Sequence, residues 1–163
     1  MDFDLSEEQR LLKESIDGLL TDSYDFDARK KYQKEKGGWS KAVWGKLAEQ
    51  GLLGLPFAEA DGGFGAGAVE TMIVMEALGK ALVLEPYLAT VVIGGGFLRH
   101  GGSAEQKAAH IPGIIDGSKT FVSNAPFADM ILVYALTDPA RGALGGVSVF
   151  IVERGSPGLA VGK

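Results

Sequence analysis

The residues best suited to chemistry lie in KTFVSNA, Lys119 to Ala125. A strand edge presenting a hydroxyl and backbone amides can hydrogen-bond the polar rim of a flat ring while an aromatic side chain packs on its face. Read from its residues alone, the stretch is also a short strand that runs into a turn at Asn124-Ala125-Pro126. The second candidate is Gly94-Gly95-Gly96, inside an otherwise apolar helical stretch. Each glycine costs about 1 kcal/mol relative to alanine in a helix interior, so three in a row need a reason. Close helix packing or a helix break is one reason. Backbone left bare to admit a ligand is the other.

The remaining candidates carry less. The run Gly62 to Gly67, GGFGAG, could cradle a phosphate, but that needs a strand directly before it within a βαβ unit, and none is readable. It reads as a connection between helices. His100 and His110 have no second histidine or cysteine at ligand spacing, so no metal site is expected. A Ser-His-Asp set lacks the G-x-S-x-G elbow. Glu7, Glu8, Glu14, Glu49 and Glu70 are scattered, as solvated helix faces are. Glu76 and Glu85 border apolar segments, where a structural ion pair is expected rather than catalysis. No carboxylate has the setting of a general base, so no catalytic residue is assigned.

The elements that must position these residues are mostly helical. Ser6 and Gln9 form a capping-box pattern ahead of Leu11, Leu12, Ile16, Leu19 and Leu20, a helix expected to end near Thr21. A short, polar second helix or loop spans Asp27 to Lys36. Ser40 caps a third, with Val43, Trp44, Leu47 and Ala48 on one face, ending at Gly51. The spacing predicts a fourth helix over Ala68 to Lys80, nearly apolar all round and therefore central. A fifth starts after Glu85-Pro86, and a short sixth spans Ala104 to Ile111 before a Pro-Gly stop. After Ser118 the composition turns to β-branched and aromatic residues in FVS, MILVYAL and GVSVFIVE, with a loop at Pro139 to Gly146. The expected fold is α+β, predominantly α: a bundle of five to six helices over 1–117, then two to three antiparallel strands over 118–163.

At 163 residues, 46% of them apolar, and a mean hydropathy of +0.12, the chain can bury a core and is not a disordered segment. A net charge of −5 with no basic block argues against a nucleic-acid partner. The absence of cysteine removes disulfides and thiolate chemistry and fits a cytoplasmic location. The acidic opening MDFDLSEEQ lacks the apolar core of a secretory signal. Ala81 to Leu98 is interrupted by Glu85, Pro86 and three glycines, so no membrane span is expected.

Phe97 to Asn124, FLRHGGSAEQKAAHIPGIIDGSKTFVSN, resembles the acyl-CoA dehydrogenase family at Gly102, Ser103, Gln106, Lys107, Pro112, Asp116 and Gly117. DFDLSEEQRLL, ETMIVMEALGKAL and LEPYLATVV are similar to the small-subunit type found with pimeloyl-CoA dehydrogenases. The stretch LGLPFAEADGGFG resembles the family's connection between helices, and FIVERGSPGLAVGK resembles the end of its middle domain. The resemblance implies a flavoprotein that oxidises the α,β bond of an acyl-CoA thioester with FAD and is reoxidised by an electron-transfer flavoprotein. Carried over residue by residue, it puts Phe121 on the flavin ring face, Val122 and Ser123 in flavin contact with the Ser123 hydroxyl near the reactive nitrogen, and Thr90, Ile93 and Gly94 beside the acyl tail.

The same resemblance implies gaps. KTFVSNA abuts the sixth helix where a further stretch, with the first flavin strand, is expected. YALTDPARG, Tyr134 to Gly142, resembles that strand's motif only superficially and reads as a turn. The family's proton-abstracting carboxylate belongs to a further helical domain. The expectation is therefore a member that is poorly active alone, self-associating or paired with a larger homologous subunit. The alternatives are a non-catalytic module completing a partner's site, or a structural remnant that oligomerises.

Overall fold

A computed structural model describes residues 4–117, 129–157 and 159 of the chain. Helix α1, Glu7–Ser23, opens with the expected capping box: the Ser6 hydroxyl accepts from the Gln9 N–H, and Gln9 Oε1 accepts from the Ser6 N–H. Its buried face is Ile16, Leu19, Leu20 and Ser23. Helix α2, Phe26–Tyr32, is capped by Asp25 and buries no residue. Helix α3, Lys41–Glu49, follows Ser40 and buries Val43, Trp44 and Leu47. The Ser40 hydroxyl makes no cap bond. Its backbone N–H donates instead to Glu85 Oε1 at 3.0 Å.

Helix α4, Ala68–Lys80, falls on the expected residues and packs along α1. Gln9 ties the two helix starts together, because its Nε2 donates to Glu70 Oε1 while Glu70 Oε2 accepts from the Gly67 N–H. Only one side of α4 is buried, through Ile73, Val74, Ala77 and Leu78; Val69 and Met72 are exposed. Its apolar character is wider than its buried face.

The fifth helix begins where expected, just after Pro86, as a π-helical segment, Leu88–Gly94, continuous with α5, Gly95–Gly101. Helix α6, Ala104–Ile115, has its own capping box at Ser103 and Gln106 and runs through Pro112 rather than stopping before it. Pro112 removes one N–H from the last turn, yet Asp116 N–H still reaches the Pro112 carbonyl, and buried Ile111 and Ile114 hold the turn against the core. The Trp44 indole N–H donates to the Gly117 carbonyl, fixing the exit from α6.

Strands β1, Met130–Leu136, and β2, Val147–Glu153, pair antiparallel, with Val133 opposite Phe150. The expected loop between them holds a 3-10 turn, Pro139–Arg141, and a four-residue helix α7, Gly142–Gly145. The expected first strand, FVS, lies outside the described residues. One core joins the elements through Ile16, Leu47, Leu53, Phe57, Val74, Tyr87, Val91, Leu98, Ile111 and Ile114; the hairpin adds Met130. Among the described residues no helix is long and apolar enough to cross a membrane.

Candidate functional site

The glycine triplet divides its labour. A Cβ on Gly95 would stand 2.6 Å from Cζ of buried Phe57, so this glycine exists for close packing. A Cβ on Gly96 would meet nothing within 4 Å. The register change to π-helix, in which the Gly95 N–H donates to the Thr90 carbonyl, accompanies this switch of faces. Close packing therefore accounts for Gly95, while Gly96 next to it is left open.

Gly96 floors an apolar cleft of about 380 Å³ lined by Ile93, Phe97, His100 and Gly101. These residues recur at the spacing of one helix face. Phe97 also walls a second cleft of about 300 Å³, where Gly101, Gly102 and Gln106 face Leu132, Val149, Phe150 and Ile151 of the hairpin. Phe97 meets Tyr134 edge-on, with ring centres 5.8 Å apart. A slot along α5 and a slot between helices and hairpin thus share one aromatic wall.

Of the residues expected at an acyl tail, Ile93 lines the α5 cleft with its side chain half exposed. Thr90 and Gly94 are buried on the core side of the same helix and do not line it. Phe121, Val122 and Ser123 lie outside the described residues. From the sequence, Phe97 and Tyr134 are not proposed as site residues, His100 is weighed as a metal ligand, and Gln106 enters only as part of the family motif. Phe97 and His100 could have been found, because Ile93, Gly96, Phe97 and His100 form an i, i+3, i+4, i+7 stripe.

Among the described residues no carboxylate lines either cleft. Glu76 is exposed and pairs with Lys80 at 2.6 Å. Glu85 is buried, and burial pushes its carboxyl above the ordinary range despite hydrogen bonds from Tyr24 and the Ser40 N–H. Its Oε2 has no hydrogen-bond partner among the described residues. His110 Nε2 lies 3.5 Å from Glu153 Oε1, between α6 and β2. Among the described residues no cluster of metal-ligating side chains occurs. A larger cleft of about 450 Å³ between the 3-10 turn Glu59–Asp61 and α6 is lined mainly by alanines, with Asp61 and Lys107 as its charges.

Residues 6–118 match the family model of the acyl-CoA dehydrogenase N-terminal domain, and residues 101–163 match that of the middle domain. The chain belongs to the acyl-CoA dehydrogenase family. It is 30% identical to an L-prolyl-[peptidyl-carrier protein] dehydrogenase of a Serratia species, over all of this chain and 52% of that protein. The crystal structure of the ChsE4-ChsE5 complex from Mycobacterium tuberculosis superposes with a TM-score of 0.84 at 26% identity, over 99% of this chain and 51% of that one. PigA with FAD and proline superposes at 0.80 with 28% identity, over 100% of this chain and 52% of that one. The chain spans about half the length of the curated relatives it matches. The Serratia alignment's 202 positions also exceed this chain's 163 residues by 39, so a stretch inside the aligned span has no counterpart here.

The family's cofactor can be tested against the clefts. The hairpin cleft offers apolar side chains, one amide side chain and glycine backbone, but no lysine or arginine. It suits the flat, apolar part of a ring or an acyl chain. Among the described residues its lining supplies no cation for a dinucleotide pyrophosphate, so any hold on that group there would fall to backbone N–H groups.

Proposed function

We propose that this chain is the acyl-tail-binding half of an acyl-CoA dehydrogenase-type flavoprotein, incomplete as a catalyst by itself. The observation that carries the reading is the α5 cleft, with bare Gly96 as floor and Ile93 and Phe97 as apolar walls. An acyl chain lying along it gains by apolar burial and needs no hydrogen-bond partner. Thr90 and Gly94 then support the helix from behind rather than touching the tail. FAD supplies hydride acceptance in this family, and in our reading Phe121, Val122 and Ser123 are this chain's contribution to holding it.

Removing the α proton of a thioester needs a base within hydrogen-bond reach, and among the described residues no carboxylate lines either cleft. The base and the rest of the flavin cradle come, in this reading, from a larger homologous subunit in the cytoplasm, and an electron-transfer flavoprotein takes electrons from the assembly. The neighbour solved as a ChsE4-ChsE5 complex supports assembly with another chain. Visible absorbance of the purified chain, followed by an acyl-CoA dehydrogenation assay, tests the reading. The expected result is less than stoichiometric flavin and no turnover. Turnover by the pure chain would contradict it.

A further inference from the structure

One aromatic ring stands between the two clefts. Among the described residues, the α5 cleft and the hairpin cleft have Phe97 and Gly101 in common, one helical turn apart on α5. A Cβ on Gly101 would meet nothing within 4 Å, so the backbone there is bare on its open side. Phe97 alone of the two brings a side chain to the shared border. Its ring is what separates a slot of about 380 Å³ along the helix from one of about 300 Å³ under the hairpin.

The hairpin meets this ring with one of its own. Leu132 and Tyr134 lie on one face of β1, and their cross-strand partners Ile151 and Val149 continue that face on β2. Leu132, Val149 and Ile151 wall the hairpin cleft, and Leu132 and Ile151 also pack against the core, so this face is turned to the helices. Tyr134 follows Leu132 on it and meets Phe97 edge-on, with ring centres 5.8 Å apart. Phe97 is half-buried and Tyr134 exposed, so the pair sits at the mouth of the clefts rather than in the core. Tyr134 thereby limits where the Phe97 ring can turn.

We propose that Phe97, positioned by Tyr134, is the divider that confines an acyl tail to the α5 cleft and sets its length at about eight carbons. The inference rests on the acyl-tail reading of that cleft. From Ile93 to His100 the cleft follows seven residues of helix, a rise of about 10 Å. An extended chain with bonds of about 1.5 Å advances about 1.3 Å per carbon, so about eight carbons fill that length. Carbons beyond the slot gain apolar burial only by crossing the border into the hairpin cleft, and the Phe97 ring occupies that crossing. The divider also keeps the hairpin cleft clear of the tail, for the flat apolar group that its walls suit.

The test is calorimetric titration of the 163-residue chain with straight saturated acyl-CoAs of increasing length, repeated on Phe97→Ala and Tyr134→Ala. The readout is the length at which affinity stops rising. In the natural chain affinity should tighten about threefold to fourfold per carbon, then level near about eight carbons. Phe97→Ala, folded by circular dichroism, should keep gaining beyond that and bind a twelve-carbon tail at least about tenfold tighter than the natural chain does. Tyr134→Ala, at an exposed position, should raise the limit in the same direction, and it carries the test if Phe97→Ala does not fold. A lowered Tm with an unchanged limit in the variants makes the ring pair a structural contact and overturns the divider, while the acyl-tail reading stands. Affinity that keeps rising through fourteen carbons in the natural chain does the same. A natural chain that binds none of the series overturns the divider together with the acyl-tail reading.

Discussion

The helical part and the hairpin differ in what each can supply for itself. Residues 4–117 interlock about fully buried Leu47, Leu53, Phe57, Val74, Val91 and Leu98, and the starts of α1, α2 and α6 are capped by side chains. The hairpin buries Met130 but leaves Val133, Tyr134, Val147 and Phe150 between 40% and 60% exposed. A two-stranded sheet is marginal in water, so the hairpin's order depends on its neighbours: Phe97 against Tyr134 and His110 against Glu153. The helical part is a fold, and the hairpin is an attachment to it. The cleft between them inherits one firm wall and one soft wall.

The sharpest way to break that contrast is at Phe57, which lies under the glycine triplet. Phe57→Ala should cost about 3–5 kcal/mol and unfold hairpin and helices together, read as the urea midpoint by circular dichroism. Met130→Ala, at the hairpin's own buried residue, should cost about 2–3 kcal/mol. A larger loss at Met130 than at Phe57 would reverse the assignment of core and attachment.

Next come the adjacent glycines. Gly95→Ala should destabilise by about 1–3 kcal/mol through overpacking on Phe57. Gly96→Ala should be neutral or stabilise by up to about 1 kcal/mol through helix propensity. Thermal melts of the two variants check this, and equal effects would remove the packing-versus-floor distinction.

Glu85 gives a smaller effect with a definite sign. Burial raises its folded carboxyl above the ordinary 4.5, so the fold favours the protonated form. Its stability contribution is full below 4.5 and is lost as pH rises through the raised value. Glu85→Gln should therefore be more stable than the natural chain at pH 8 and no more stable at pH 4, flattening the profile. A steeper loss with rising pH in the variant would contradict the sign. Smallest of all, Glu153→Gln should cost less than about 0.5 kcal/mol, because its pairing with His110 is solvent-exposed on the Glu153 side. Proteolysis of the hairpin would detect it.

Much of the helical part is legible from local chemistry. The capping boxes at Ser6 and Ser103 and the apolar periods of α1, α3 and α4 depend on neighbours in sequence, and these elements fall where the sequence places them. Legibility fails where tertiary contacts override local signals. Pro112 reads as a stop, yet the core keeps Ile114 in the helix. Ser40 reads as a side-chain cap, yet its backbone bonds to Glu85, 45 positions away. The cleft was half legible. The glycine triplet marked the helix, but which glycine packs and which lies open depends on Phe57, and the second cleft depends on where the hairpin docks.

The central claim is that the open face of α5 holds an acyl tail. Calorimetric titration of the chain with a medium-chain acyl-CoA, repeated on Gly96→Leu, tests it most directly. The account predicts binding by the natural chain, weakened at least about tenfold when the new side chain fills the cleft floor, with the fold intact by circular dichroism. Binding that is absent in the natural chain, or unchanged in the variant, would contradict it.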